Sequence, residues 1–251
     1  MRCGIDLGSR SVKVVVMAAD TQQLAAATVY ETATFYREYG HRTDRGLAVD
    51  FAALGLPAVA QLTATGYGRN TINIVGATVI PELKAHMLGA IAQTGLTDFT
   101  LLDLGGQDSK VIKVRNSRMV DFQTNDKCAA STGRYLENMA TVLGIGLAEL
   151  ADYSEQPVEL SATCAIFGES ELIGRIVEGF SVAELAAGVN YTIYKRIKPM
   201  LNALKSDIIV FTGGVALGGA IQQFITREMG LEVVVPAHPQ LNGAIGCAVY
   251  K

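Results

Sequence analysis

One short motif occurs twice in the chain, and this repeat constrains the fold more than any other feature of the sequence. Residues 4–16 read GIDLGSRSVKVVV, and residues 101–114 read LLDLGGQDSKVIKV. A shift of 97 positions aligns an acidic residue, two small residues and a lysine in the pairs Asp6/Asp103, Gly8/Gly105, Ser9/Gly106 and Lys13/Lys110. The repeat predicts a protein built from two related halves.

Each copy of the motif is predicted to be a β-hairpin. Its β-branched runs are typical of strands, and the glycine-rich stretch between them is typical of a tight turn. A carboxylate therefore stands just before each turn. The glycine turn leads into a strand rather than a helix, which disfavours a Rossmann or P-loop site. We expect an α/β fold with subdomains at about 1–100 and 101–236, and a C-terminal helix (237–251) that packs back on the first.

These hairpins have the chemistry of a nucleotide-phosphate site. Glycine lets backbone N–H groups approach an anion, and Asp6 and Asp103 can hold a hydrated Mg²⁺ across a cleft. Two ordinary hairpins with Asp-Gly turns are the alternative, which the matched spacing makes less attractive. The candidate phosphate-binding residues are Gly8, Ser9, Arg10, Ser11, Lys13, Gly105 and Gly106. Lys110 is interpreted as a solvated hairpin lysine.

A third glycine element follows near the C-terminus. A buried-strand pattern (208–211) is followed by Thr212 and then by Gly213, Gly214 and Val215. A helix (about 218–229) and a strand (231–235) are predicted next. The paired glycines place bare backbone where an adenine ring could lie flat.

The cysteines Cys128 and Cys164 each precede a helical pattern, at 129–143 and 166–177. A helix N-terminus favours thiolate and anionic sulfur. Core packing, a disulfide, a redox switch and a metal cluster all remain open for this pair. A 4Fe–4S cluster needs four thiolates, which a two-fold symmetric dimer would supply from two copies of the pair. Cys3 and Cys247 are interpreted as packing residues.

Composition narrows the class of partner. The formal charge of −3, with 18% charged and 49% apolar residues, indicates a globular protein without a basic field, so we expect no nucleic-acid or membrane partner. No targeting or membrane-spanning pattern is visible, and a cytoplasmic location is expected.

Taken together, these motifs resemble the actin/sugar-kinase/Hsp70 ATPase superfamily, and more narrowly the BadF/BadG family of activators. The resemblance rests on GIDLGSRSVK, TGYGRN (65–70), LLDLGGQDSKVIKV, NDKCAASTGRYLE (125–137), CAIFGESELI (164–173), FTGGVA (211–216) and PQLNGAIGCA (239–248). It implies an actin-like, ribonuclease H-like fold with a mixed sheet in each subdomain. Two departures stand out, since the family usually has Gly where this chain has Ser131 and Ala where it has Gly168.

The resemblance also implies a function. Members are ATP-dependent electron donors to 2-hydroxyacyl-CoA dehydratases and benzoyl-CoA reductases, which are iron–sulfur enzymes. The members are homodimers, and each dimer has one 4Fe–4S cluster held between its subunits by the residues that match Cys128 and Cys164. ATP or ADP with Mg²⁺ is the implied nucleotide, and Gln107 is the implied residue that orients the attacking water.

Two other functions remain open at this point. A small-molecule kinase of the same superfamily would need an aspartate base facing a sugar pocket, and no clear candidate is visible. A nucleotide-dependent scaffold protein would need no cysteine pair. Glu82 and His86 share a helix face at i, i+4 and are interpreted as a surface pair rather than a metal site.

Overall fold

The computed structural model describes residues 1–20, 22–44, 46–50, 53–66, 74–125, 132–162 and 164–251. The chain divides into two compact units. Unit 1 comprises Met1–Leu96 together with Leu241–Lys251, and unit 2 comprises Thr97–Gln240.

The described residues of unit 1 form a five-stranded mixed sheet and three helices. Its strands are β1 (Arg2–Leu7), β2 (Ser11–Met17), β3 (Leu24–Glu31), β6 (Gln61–Thr65) and β7 (Thr78–Val79), in the order β3-β2-β1-β6-β7. A separate ribbon pairs β4 (Gly40–Thr43) with β5 (Gly46–Val49). The helices are α1 (Thr32–Glu38), α2 (Glu82–Thr94) and α8 (Asn242–Val249).

In unit 2, outside 126–131 and 163, the chain forms a second five-stranded mixed sheet and five helices. Its strands are β8 (Phe99–Leu104), β9 (Ser109–Arg115), β10 (Arg118–Asn125), β11 (Ile208–Thr212) and β12 (Glu232–Val234), in the order β10-β9-β8-β11-β12. The helices are α3 (Gly133–Leu143), α4 (Leu147–Leu150), α5 (Ala165–Val177), α6 (Val182–Leu204) and α7 (Ala220–Met229). Short 3₁₀ turns occupy Gly214–Leu217 and Pro239–Leu241.

The two sheets have the same topology. In each, the first three strands in chain order form an antiparallel meander, and the remaining two continue the sheet in parallel from the first strand. The predicted hairpins are β1–β2 and β8–β9, which pair Asp6 with Lys13 and Asp103 with Lys110. The prediction of an α/β fold with a mixed sheet and helices in each half is confirmed.

Local sequence accounts for where several helices begin and end. Ser181 and Glu184 form a reciprocal capping box at the start of α6, which satisfies backbone N–H groups that have no helical partner. Gly144 and Gly230 end α3 and α7 in the left-handed conformation that favours glycine. The helix predicted to start near 218 begins at Ala220, with Gly219 as its N-cap, after the 3₁₀ turn that ends at Leu217.

Small residues let α2 and α8 cross at close range. A Cβ at Gly89 would lie 2.0 Å from the carbonyl oxygen of Asn242, and one at Gly246 would lie 1.7 Å from that of Ala85. The side chain of Asn242 donates to the carbonyl oxygen of His86 (2.8 Å) and accepts from the amide of Gln93 (3.0 Å). This crossing fixes one face of α2 against α8, and α8 in turn packs on β1, β2 and β6 of the unit 1 sheet.

No helix in the described part of the chain has the length and apolar character needed to cross a bilayer.

Candidate functional site

The first acidic hairpin places Asp6 and Lys13 side by side. Asp6 is buried near the end of β1, and the Nζ atom of Lys13 on β2 lies 3.5 Å from its Oδ2 atom. A Cβ at Gly8 would lie 2.7 Å from the carbonyl oxygen of Ser11 and 3.0 Å from Lys13 Nζ, so glycine is needed for this turn. The hydroxyl of Thr32 donates to the carbonyl oxygen of Gly8 (2.8 Å). Of the remaining turn residues, Ser9 is exposed, whereas Arg10 and Ser11 are half-buried.

Asp6 carries a buried oxygen that fits a cation or a cation-bound water. The residue is 4% exposed, and its Oδ1 atom has no hydrogen-bond partner among the described residues. A desolvated carboxylate oxygen without a donor is costly, and a bound Mg²⁺ hydration shell would supply the missing donor. The phenol of Tyr36 lies in the same environment: burial raises its pKa to about 12, and the charge of Asp6 adds to that rise. These residues fit a hydrated Mg²⁺ beside a phosphate.

The second acidic hairpin has the same backbone but a different set of partners. The hydroxyl of Thr212 donates to Asp103 Oδ1 (2.8 Å), and Lys110 Nζ lies 3.7 Å from Asp103 Oδ2. Lys110 also pairs with Asp108 at 2.5 Å. Its side chain is only 6% exposed, so the interpretation of Lys110 as a solvated lysine is wrong. Lys110 is buried because β9, the strand that carries it, lies between β8 and β10, and because Asp108 from the turn pairs with it.

The turn of the second hairpin is joined to the start of α3. The backbone N–H groups of Gly133 and Arg134 donate to the carbonyl oxygens of Gly105 (2.9 Å) and Gly106 (3.0 Å). A Cβ at Gly133 would lie 3.3 Å from the Gly105 carbonyl oxygen, so this approach is tight. Gln107 projects from the turn and is exposed. These hydrogen bonds hold the turn against the first residues of α3.

The third glycine element meets this turn inside unit 2. Gly213 has a φ of 91°, and a Cβ there would lie 2.2 Å from the carbonyl oxygen of Leu104. Its N–H donates to the carbonyl oxygen of Pro239 (3.0 Å). A Cβ at Gly214 would make only an ordinary contact, 3.9 Å from Gln240 Nε2, and Val215 packs within 3.7 Å of the position a Cβ would take at Gly133. The structure thus brings Asp103, Gly105, Gly106, Gly213, Gly214 and Val215 together at the carboxyl ends of β8 and β11.

Sequence reasoning missed that the repeat extends further. Asp6 pairs in register with Thr65, as Asp103 pairs with Thr212. Each threonine is followed by a glycine of positive φ that lies against the leucine after the aspartate: a Cβ at Gly66 would lie 2.6 Å from the Leu7 carbonyl oxygen. The shared Thr-Gly dipeptide at 65–66 and 212–213 was the available signal.

His86 and Glu82 form a pair in which His86 is buried and Glu82 is half-buried, so the pair is not on the surface. His86 Nε2 lies 3.8 Å from Glu82 Oε1, and the His86 side chain is 7% exposed. A Cβ at Gly243 would lie 3.1 Å from both His86 Nε2 and Asp6 Oδ2. The prediction that the two residues share a helix face is therefore correct, but the prediction that this face lies on the surface is wrong, because the close α2–α8 crossing buries it. His86 is a neighbour of the Asp6 site that sequence reasoning did not assign to it.

Comparison with known proteins identifies the family. Residues 3–250 match the BadF/BadG/BcrA/BcrD ATPase family. The chain belongs to this family. It is similar to the (R)-2-hydroxyglutaryl-CoA dehydratase activating ATPase of Acidaminococcus fermentans, with 34% identity over 98% of this chain and 95% of that protein. It is also similar to a component of the benzoyl-CoA reductase of Thauera aromatica, with 25% identity over 98% of this chain and 91% of that protein.

A solved structure supports the same assignment. The activator of the 2-hydroxyisocaproyl-CoA dehydratase from Clostridium difficile with bound ADPNP superposes with a TM-score of 0.85. It shares 30% sequence identity, and the match covers 99% of this chain and 93% of that one. This BadF/BadG-type ATPase therefore has the actin-like fold, and the resemblance inferred from its motifs is confirmed.

The cysteines of this BadF/BadG-type ATPase fall into two classes. Cys3 and Cys247 are fully buried, as expected for packing residues. Burial raises the pKa of Cys3 to about 12 and that of Cys247 well above its usual value, so neither suits a thiolate ligand. Cys164 is a half-buried free thiol at the N-cap of α5, as predicted. Cys128 lies outside the described residues.

Within the described residues, no three His, Cys, Asp or Glu side chains cluster closely enough to hold a metal ion. The half-buried position of Cys164 nevertheless fits one thiolate ligand of a cluster completed from elsewhere.

The departure at Gly168 has a simple structural account. A Cβ there would meet the ring of Tyr135 at 3.6 Å, which is ordinary van der Waals contact. The alanine that the family usually has would therefore fit. Ser131 lies outside the described residues.

Proposed function

We propose that this ATPase is the reductive activator of a partner iron–sulfur enzyme of the 2-hydroxyacyl-CoA dehydratase or benzoyl-CoA reductase type. It would act as a cytoplasmic homodimer that couples ATP hydrolysis to single-electron transfer in anaerobic metabolism. Cys128 and Cys164 from each protomer would hold one 4Fe–4S cluster. Such a cluster supplies reversible one-electron chemistry. The relatives whose names specify dehydratases and a reductase support the partner class.

The buried, unpartnered oxygen of Asp6 supports the nucleotide half of this proposal. Asp6 would bind a water of hydrated Mg²⁺, and Lys13 would neutralise phosphate charge beside it. Asp103 is held by Thr212 and Lys110 and would position the second turn. Gln107, exposed beside that turn, would orient the attacking water, and residues 213–215 would contact the adenosine.

The redox half of the proposal is carried by the placement of Cys164. Among the three free cysteines in the described part of the chain, Cys164 is the one that is not fully buried. It is the N-cap residue of the 13-residue helix α5. The hydrogen bonds from Gly133 and Arg134 to the second turn give a physical route from the nucleotide to the segment containing Cys128. A nucleotide-dependent movement of that turn would shift this segment.

Anaerobic reconstitution tests the proposal directly. Wild-type protein should bind iron and acid-labile sulfide, and the reduced protein should give an electron paramagnetic resonance signal that changes with MgATP. Cys164→Ser should lose the iron and keep the ATPase activity, while Cys3→Ala, a matched buried control, should keep both. Absence of iron and sulfide from reconstituted wild type would refute the redox half. Substrate-dependent ADP formation without iron would instead support the small-molecule kinase.

A further inference from the structure

The carboxylate of Glu171 holds the backbone N–H groups of the segment just before Cys164. Glu171 on α5 accepts hydrogen bonds from the backbone N–H of Ser161 at 2.8 and 3.0 Å and from its hydroxyl at 2.8 Å. It also accepts from the backbone N–H of Ala162 at 2.8 Å. Both carboxylate oxygens are used, and both face the backbone of consecutive residues.

Two cations on α6 hold the carbonyl side of the same segment. Lys195 Nζ donates to the carbonyl oxygen of Leu160 (3.1 Å), and Arg196 donates to that of Ala162 (3.3 Å). Residues 160–162 thus form no regular element, but their polar backbone groups are bonded to side chains of α5 and α6. Such bonds specify the position of a loop that secondary structure leaves free.

The bonds to Glu171 involve a charged acceptor. Burial alone would raise the pKa of this carboxyl, but the hydrogen bonds from Ser161 and Ala162 outweigh it and hold the pKa below its usual value. Hydrogen bonds to an ionised carboxylate are stronger than neutral ones. The neighbouring Glu169, in the same Gly168-Glu169-Ser170-Glu171 motif, instead accepts a long bond of 3.4 Å from Asn138 on α3.

We propose that Glu171 is a positioning residue for Cys164. By fixing Ser161 and Ala162, it sets where the chain enters α5 and therefore how accessible the Cys164 thiol is. Lys195 and Arg196 extend this control to α6. The role of Cys164 as a cluster ligand rests on the proposed function, whereas the control of its accessibility does not.

Residue-resolved alkylation of the metal-free protein tests this inference. Iodoacetamide labelling under anaerobic conditions, followed by mass spectrometry of the Cys164 peptide, measures how often the segment opens. Glu171→Ala should raise the labelling rate of Cys164 roughly tenfold or more, the effect of losing charged hydrogen bonds on a local opening equilibrium. Glu171→Gln, which keeps an acceptor oxygen, should lie between Glu171→Ala and wild type.

Matched controls separate positioning from general loss of structure. Glu169→Gln should label like wild type. Cys3 and Cys247 are buried reporters of the fold, and their labelling should stay slow in every variant. If Glu171→Ala exposes Cys3 and Cys247, the test uses Glu171→Gln and Lys195→Met instead. Both variants should raise the labelling rate of Cys164 and leave that of Cys3 and Cys247 unchanged. An unchanged Cys164 rate in the folded variants overturns the inference.

A second readout addresses the cluster. In reconstituted protein, Glu171→Gln should alter the electron paramagnetic resonance signal or the reduction potential, and Glu169→Gln should alter neither. Faster Cys164 labelling in Glu171→Gln, in a protein whose wild type binds no iron, would support the positioning role while refuting the cluster. Unchanged labelling in protein that does bind iron would refute the positioning role alone.

Discussion

The two acidic hairpins share a backbone but not a chemistry. Both place an aspartate beside a lysine, and both set that aspartate in register with a threonine. In unit 2 the threonine hydroxyl donates to Asp103. In unit 1 the hydroxyl of Thr65 donates to the carbonyl oxygen of Ile80 instead (2.9 Å), and Asp6 Oδ1 keeps no partner in the described chain.

This difference shows how two copies of one structural motif can take different roles. Asp103 is satisfied by the protein, so its carboxylate is suited to hold the second turn in place. Asp6 pairs with Lys13 through Oδ2 but keeps a buried Oδ1 atom without a donor among the described residues, a cost that a ligand would remove. The repeat fixes where the carboxylates lie, and the acceptor of the adjacent threonine hydroxyl distinguishes the carboxylate that is open to a ligand from the one that is not.

The largest expected effect comes from the open carboxylate. Asp6→Asn should lower kcat for ATP hydrolysis about a thousandfold, since it weakens the contact to the Mg²⁺ hydration shell. The melting temperature should not fall, because the change removes a desolvated charge. Asp103→Asn should lower the melting temperature as well as the activity. Equal melting temperatures for the two variants would contradict the division between them.

The lysines should differ in their effect on stability. Lys110→Met should lower the free energy of unfolding by about 3 kcal/mol, because it leaves buried Asp103 without its cation. Lys13→Met should lower it less, since Lys13 is more exposed, and should mainly weaken nucleotide binding. Urea denaturation and nucleotide titration measure the two effects. A larger stability loss for Lys13→Met than for Lys110→Met would reverse the comparison.

The threonines should separate stability from activity. Thr65→Val and Thr212→Val should each cost about 1–3 kcal/mol of stability, because each removes a buried hydrogen bond. Only Thr212→Val should also lower kcat, by roughly tenfold, since its partner is Asp103. Steady-state ATPase assays on folded variants decide the matter, and equal kcat values would count against a role for the Thr212–Asp103 bond.

The supports of the two turns should give the smallest effects. The first turn is held by the Thr32 hydroxyl and the second by the N-terminus of α3. Thr32→Val should cost about 1 kcal/mol by loss of one hydrogen bond. Gly133→Ala should cost a similar amount, because the added methyl presses on the Gly105 carbonyl oxygen. Hydrogen exchange at residues 105–106 should rise only in Gly133→Ala.

Much of this architecture could be predicted from the sequence because it depends on local patterns. The duplicated Asp-Leu-Gly motif predicted both hairpins, and Cys164 was placed at the start of a helix. The helix face of Glu82 and His86 was also found. The burial of this face was not predicted. The glycines that allow α2 and α8 to cross lie far apart in the chain, at positions 89 and 246, and no local pattern links them.

The sequence by itself determined the paired hairpins, the two mixed sheets and the family, since strand period, turn glycines and motif spacing are properties of short segments. Only the tertiary structure decided that Lys110 is buried, that Asp6 rather than Asp103 has an open oxygen, and that Glu171 holds the segment before Cys164. Those outcomes depend on which side chains from distant segments meet at one point, and a hydrogen bond forms only when both partners arrive at the right distance and angle.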